Sequence, residues 1–366
     1  MVSSIHKQTG AVTQSDIAAM FGVSRVTVSR ALRHAGKVGS KLEAAIVEAA
    51  RTRGYSHEAH FSARDMRLRR DGRRAETNVI CVLTAVGAGA LNGSPFHVRY
   101  VTGIERAAKS SGDEVILATE WAPKHGFPRV VVRGQVDGFI WMPSEQDLQA
   151  VGPSCPIPAV TLFFAVPWAD VVAVDDHGAM RAMGEYLARK GHRRVAFIGP
   201  ESDLARARLG GLRAGLAGAG GSVSDEDTHM ERYVMLPANI LPLVRWAMER
   251  WRSLPEPERF TAIAAYNDYI AWTVMRCLRD EYRLRVPQDM SVTGFDALDS
   301  GDGALPRLTT AAMPLEELGA EAVRMIDWRM RNQGEERRRV ALPAPLVEGG
   351  SVWECGSVGV CECVSV

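Results

Sequence analysis

Long apolar runs are missing from this 366-residue chain; nothing approaches the eighteen or so consecutive apolar residues that a membrane-crossing helix requires. Cysteine is scarce. Of six in all, Cys355, Cys361 and Cys363 fall in the last dozen residues, and the spacing fits neither a zinc site nor a disulfide framework. Reduced thiols in a cytoplasmic protein are the expectation. The opening MVSSIHKQTG has one Lys and no apolar stretch behind it, so a secretory leader is not expected. Catalytic signatures are missing too: no GxSxG elbow, P-loop, HExxH, or GxGxxG after the first strand. His97, His125, His177 and His192 lack partners at a telling spacing. An enzyme is therefore not expected, and no cofactor or metal is implied.

What is present is ordinary in bulk and uneven in distribution. Hydrophobic residues make up 46% and charged residues 24%, enough for two or three domains with proper cores. The net charge of +1 hides a split: residues 1–75 hold 14 Lys and Arg against 6 Asp and Glu, whereas the remainder holds 30 against 37. A basic end on a mildly acidic body suits a protein that touches a polyanion at one end only.

That basic end contains VTQSDIAAMFGVSRVTVSRAL (12–32). Thr13 with Asp16 reads as a helix start, and Ile17, Ala18 and Phe21 share one face of the helix that follows. Gly22 ends that helix where a left-handed residue is needed, and Ser24 caps a second with Val28 and Leu32 inward. Its outward row is Arg25, Val26, Ser29 and Arg30, side chains suited to base edges in a DNA major groove. Ser40-Lys-Leu-Glu43 reads as a capping box opening a third helix to Gly54, with Leu42, Ile46, Val47 and Ala50 inward. A helical hairpin that merely packs in a larger core is the bland alternative, and the third helix with basic side chains outward argues against it.

GVSRVTVSRAL, the third helix and the closing Gly54-Tyr55 resemble the headpiece of LacI-family transcriptional regulators. In that family the segment after the Tyr forms a hinge helix that inserts a leucine into the minor groove. Here SHEAHFSARDMRLRRDGRR departs from the pattern: His57-Glu58 stand in place of Pro-Asn, and Arg64 occupies the leucine position, with Met66 and Leu68 as the nearest apolar candidates. Arg64 reading groove width and a plain solvated basic linker both stay open. The DNA-contacting set implied is Thr13, Ser24, Arg25, Val26, Thr27, Ser29, Arg30, Arg64 and Met66.

From Asn78 the pattern becomes short apolar runs alternating with longer amphipathic stretches. The runs are 79–83, 114–118, 137–141, 159–163, 171–174, 195–199, 261–266 and 291–295. Helices fit near 98–111, 177–190, 203–219, 238–252, 267–282 and 314–332. Such alternation predicts a doubly wound α/β fold with parallel sheets, in two lobes because it outruns one compact sheet. Ligands in such folds sit outside the carboxyl ends of strands, here between the lobes. RKGHRRVAFIGP (189–200), RARLGGLRAGL (206–216), AAYNDYIAWTVMRCL (264–278), RVPQDMSVTGFD (285–296) and LTTAAMPLEELGAEAV (308–323) resemble, in order and spacing, the periplasmic-binding-protein-like effector domain of the same family. The stretch 119–138 is shorter than the family's helix and is broken by Pro123 and Pro128. The tail after Ser351 has no counterpart, and an edge strand and a disordered end are both compatible with it.

The resemblance implies effector contacts from Phe96, Asp175, Arg208, Asn267 and Asp296. An Asp or Asn at a strand end also commonly caps the next helix, and Arg208 could pair with Asp203 or Glu201 on the surface. Trp121 and Trp141 read as core, and His192 as a surface residue of its turn. The implied architecture is a small all-α helix-turn-helix headpiece (1–55), a linker (56–76), a two-lobed effector and dimerisation domain (77–351) and a tail (352–366). The implied function is sequence-specific, effector-controlled DNA binding at a near-palindromic operator. The protein would be a cytoplasmic, nucleoid-associated homodimer with no membrane role, and a sugar is the default effector by family habit. A ligand-binding protein or a sugar- or nucleoside-processing enzyme on the same α/β body is the alternative.

Overall fold

The computed structural model describes residues 14–32, 39–52, 77–84, 94–119, 121, 126–143, 157–232 and 237–355. Thr13, Gly54, Tyr55, the linker 56–76 with Arg64, Met66 and Leu68, Pro123, His125, Cys361 and Cys363 lie outside them.

The headpiece holds α1 (Gln14–Phe21), α2 (Arg25–Leu32) and α3 (Ser40–Thr52). Ile17, Ala18, Val28, Ala31, Ile46 and Ala50 close into one small core, with Phe21, Val23, Leu32 and Leu42 against it. Gly22 turns the chain at φ 61°, where any Cβ would be strained. Ser24 caps α2 as expected, its hydroxyl accepting from the Thr27 amide at 3.1 Å. The third helix differs in one detail. The Gly39 carbonyl accepts the Glu43 amide at 3.0 Å, so Gly39 is the cap and Ser40 already lies within the helix. Val47 is half-buried, lying beside the seam made by Ile46 and Ala50.

The body is a second compact unit, running from Asn78 except for residues 132–135. Its elements are β1 (Val79–Thr84), α4 (Pro95–Ser111), β2 (Glu114–Ala118), the short α5 (Arg129–Val132), β3 (Gly138–Met142), β4 (Ala159–Leu162) and β5 (Asp170–Val174). Then come α6 (Asp176–Arg189), β6 (Val195–Pro200), α7 (Asp203–Ala217), β7 (Thr228–Glu231), α8 (Pro237–Ser253), β8 (Ala262–Ala265) and α9 (Asp268–Asp280). β9 (Ser291–Phe295), β10 (Thr309–Ala311), α10 (Leu315–Arg331), β11 (Arg339–Leu342) and β12 (Leu346–Val347) complete it.

Two six-stranded sheets result, ordered β11-β5-β4-β3-β1-β2 and β12-β10-β9-β8-β6-β7. Every pairing is parallel except that of β10 with β12. The uniformly buried runs AVTL, DVVAV, AIAA and SVTGF are what strands covered on both faces require. Both sheets share the doubly wound order 2-1-3-4-5, so each places its switch point beside its first strand, β1 or β6. The chain passes between lobes after β5, after β10 and after β11, and one apolar cluster runs from Ile80 and Val82 in one lobe to Phe197 and Phe295 in the other.

Close helix pairs brace each lobe. In the second, α6 and α7 approach so nearly that a Cβ on Gly211 would stand 2.1 Å from the His177 carbonyl oxygen. Gly211→Ala is expected to cost about 1–3 kcal/mol, because backbone must move to admit one methyl. Denaturant unfolding checks this, and a midpoint matching wild type would refute it. His192 corrects the surface reading: it is buried, its Nδ1 2.7 Å from Thr261 Oγ1 and its Nε2 3.1 Å from the Trp353 carbonyl. Burial lowers its pKa to about 4, against the bond to Trp353. The start of the tail is therefore docked: the Trp353 amide donates to Ser291 Oγ (2.9 Å) and the Cys355 amide to the Lys190 carbonyl (2.6 Å).

Candidate functional site

Two sites are built separately. On α2 the inward side is Val28 and Ala31, leaving Arg25, Val26 and Arg30 exposed and Thr27 and Ser29 half-buried. Val26 is 57% exposed although apolar, which leaves it free to contact a thymine methyl. Ser24 spends its hydroxyl on Thr27, as cap to its amide and at 2.9 Å from its Oγ1. Both lie at the helix start, which faces the groove in a helix-turn-helix.

The second site lies at the carboxyl ends of β6, β8 and β9, the switch-point side of the second sheet. Arg208, on the second turn of α7, is only 3% exposed. Its Nε donates to Asp176 Oδ1 at 2.7 Å and its Nη1 to the Tyr266 carbonyl at 2.6 Å. The guanidinium carbon lies 3.6 Å from the Phe295 ring centroid and 4.3 Å from that of Tyr266, a cation held between two π faces. Pairing with Asp203 or Glu201 on the surface does not occur: Asp203 takes Arg206 at 2.7 Å and Glu201 takes Arg232 at 3.5 Å.

Asp268, at the start of α9, accepts from Thr310 Oγ1 at 2.7 Å and from the Leu298 amide at 2.8 Å. Burial nonetheless pushes its pKa up to about 7, against those two bonds and Arg208. Asp296 follows β9 at φ 122°, a conformation L residues rarely adopt, and is 4% exposed. Burial lifts its carboxyl well above the usual range; Arg208 opposes this, and Asp268 and Asp176 add to it. No hydrogen-bond donor among the described residues reaches the Asp296 carboxylate.

Of the five residues singled out in the sequence, the structure brings Arg208 and Asp296 into one cluster. Asn267 stands beside that cluster, but its side-chain oxygen accepts from the Ile270 amide at 3.0 Å and caps α9. Asp175 likewise accepts from the Gly178 amide at 2.9 Å and caps α6. The half-buried Phe96 belongs to the first lobe, 5.9 Å from Phe163 and 5.4 Å from His97 by ring centroids. Sequence reasoning missed Asp176 and passed over Asp268 as a cap. Each is the second residue of a polar pair (Asp175-Asp176, Asn267-Asp268) in which the first member caps and the second turns inward. A doubled polar residue at a strand end was the available signal. Trp121 and Trp141 are core, in edge contact at 5.1 Å.

A three-helix headpiece with an exposed reading row, followed by two doubly wound lobes with a polar cluster at the strand ends, defines a helix-turn-helix protein with a periplasmic-binding-protein-like body. Residues 13–58 match the bacterial regulatory proteins of the lacI family, and residues 185–352 match the periplasmic binding protein-like domain. Across 348 residues the chain is 26% identical to the HTH-type transcriptional regulator DegA of Bacillus subtilis, covering 91% of this chain and 95% of DegA. The transcriptional regulator CelR in its cellobiose complex shares the fold at TM-score 0.63 and 24% identity, over 93% of this chain and 99% of that one. The lac repressor dimer bound to operator and the anti-inducer ONPF shares it at TM-score 0.60 and 23% identity, over 94% and 100%. The chain belongs to the LacI family of bacterial transcriptional regulators. It is a DNA-binding regulator of transcription.

Proposed function

We propose that the protein is a repressor, acting as a cytoplasmic homodimer, whose operator affinity is set by a small molecule bound in its α/β body. The observation that carries the effector half is the buried Arg208 cluster at the strand ends. In it, Asp296 presents a carboxylate that no donor among the described residues reaches. In this reading Arg208 and Asp296 contact the effector, Phe96 closes it from the first lobe, and Asp175 and Asn267 shape the walls through their helix caps. No step of chemistry on the ligand is part of the reading, since a regulator needs only differential binding between two states.

Arg25, Val26, Ser29 and Arg30 would read bases, with Thr13, Ser24 and Thr27 at the backbone and Arg64 and Met66 in the minor groove. Dimerisation is assigned to α4, where Val98 is an exposed apolar residue, together with a second-lobe surface. Arg30→Ala is expected to weaken specific operator binding by about 1–3 kcal/mol and to relax selectivity at one base position. Fluorescence anisotropy on operator and scrambled DNA would read both, and unchanged operator affinity would remove Arg30 from the reading row.

The test of the function as a whole is selection of genomic fragments by the full-length protein at near-physiological salt. One short near-palindrome is the expected yield. Enrichment without a shared sequence would mean charge-driven contact only and would overturn the operator reading.

A further inference from the structure

We propose that the Arg208 cluster selects its ligand by charge: it binds a protonated amine against Asp296 and disfavours phosphorylated or carboxylated molecules. The inference rests on the effector-site reading and adds the chemical class. Its basis is a count of charges in one buried place. Asp176, Asp268 and Asp296 gather around Arg208, the single cation facing them among the described residues, and all four are at most 6% exposed. The three carboxylates are unequally served. Asp176 has the Arg208 Nε, and Asp268 has a hydroxyl and a backbone amide. Asp296 has no donor among the described residues, and the little surface it keeps (4% exposed) is at its carboxylate oxygens, which are not among the fully enclosed polar atoms.

A carboxylate this far from bulk water and without a protein donor is costly when charged, which favours keeping a proton in the ligand-free cluster. That proton holds the place of a cation. A hydroxyl from a neutral sugar would supply a hydrogen bond but leave the charge deficit in place. A phosphate or carboxylate would add a fourth negative group beside one guanidinium already engaged with Asp176 and the Tyr266 carbonyl. An ammonium supplies both the donor and the charge, and lets Asp296 ionise against it. The groups facing Asp296 are Arg208 from α7, Asp268 from α9 and Asp176 from α6. None of them offers a competing free cation.

The test uses the full-length protein in thermal-shift and calorimetric titrations with matched sugars: glucose, glucosamine, glucose 6-phosphate and glucuronate, with the galactose set alongside. The amine member is expected to bind about tenfold more tightly than its hydroxyl counterpart, the worth of one charge-assisted hydrogen bond over a neutral one. Its binding should tighten as pH rises and the cluster gives up its proton, while that of the neutral sugar stays flat. In Asp296→Asn, shown to be folded by its own melting curve, the amine advantage should vanish. If a neutral or phosphorylated member binds best, or the amine advantage survives Asp296→Asn, the charge assignment is overturned and the effector reading stands. If no member of either set stabilises the protein, the effector reading falls and this proposal with it.

Discussion

Asp170→Ala is expected to destabilise the body by about 3–5 kcal/mol, the cost of leaving a buried charge without its partner. Asp170 is fully buried at the start of β5 and meets Arg329 of α10, itself 1% exposed, in a two-pronged pair at 2.6 and 2.5 Å. The remaining guanidinium donors are consumed by the carbonyls of Asn332, Glu335 and Glu336, and Asp170 also accepts the Arg338 amide at 2.7 Å. One ion pair therefore fixes the end of α10, the turn after it and the register of β11 on β5. The alanine variant leaves Arg329 buried with carbonyl partners only, and the loss should show as a lower urea midpoint and a large fall in melting temperature. Arg329→Met, of similar bulk, should be nearly as harmful, because it leaves Asp170 with only the half-exposed Arg337 as a cation, 3.9 Å away. A loss below about 1 kcal/mol in either would place this pair with weak surface bridges.

Asp296→Asn is expected to do the opposite to stability while removing function. The folded-state pKa of Asp296 is raised above its unfolded value near ~3.9, so folding favours the protonated acid. Stability from this group is fully present below the unfolded pKa and is lost as pH rises towards the folded one. An asparagine cannot ionise and escapes that loss. The variant should therefore melt higher than wild type at neutral pH, with the gap widening as pH rises above the unfolded pKa towards the folded one, and should no longer respond to effector. Melting curves over that range, with operator binding measured in the presence of ligand, check both halves. A variant that is less stable at every pH would assign Asp296 a structural part, and one that still responds would remove it from the ligand site.

The two substitutions mark what could and could not be read from residues alone. Periodicity located most of the body: the runs at 114–118 and 291–295 are strands at the same bounds, and the helices near 98–111, 203–219 and 314–332 shift by only a few residues. What carried no periodic signal was missed. β7 (THME), β10 (TTA), β11 (RVAL) and β12 (LV) are two to four residues long, and all but β10 are edge strands of partly exposed residues. Their existence depends on the strand next to them. The same holds for Arg329 and Asp170, which are 159 positions apart and look like any surface charges until the sheet joins them.

By itself, the sequence determined the things that are local. A cap at Ser24, a left-handed Gly22 and an outward row of Arg25, Val26 and Arg30 are set within one or two turns of chain, and so is the alternation that makes two doubly wound lobes. The tertiary structure decided partnership: that Asp176 rather than Asp175 meets Arg208, that Asn267 caps while Asp268 turns inward, that His192 is buried under the start of the tail, and that Asp296 has no donor among the described residues. Burial and charge balance are properties of what surrounds a side chain. They are fixed only when strands far apart in sequence are laid side by side.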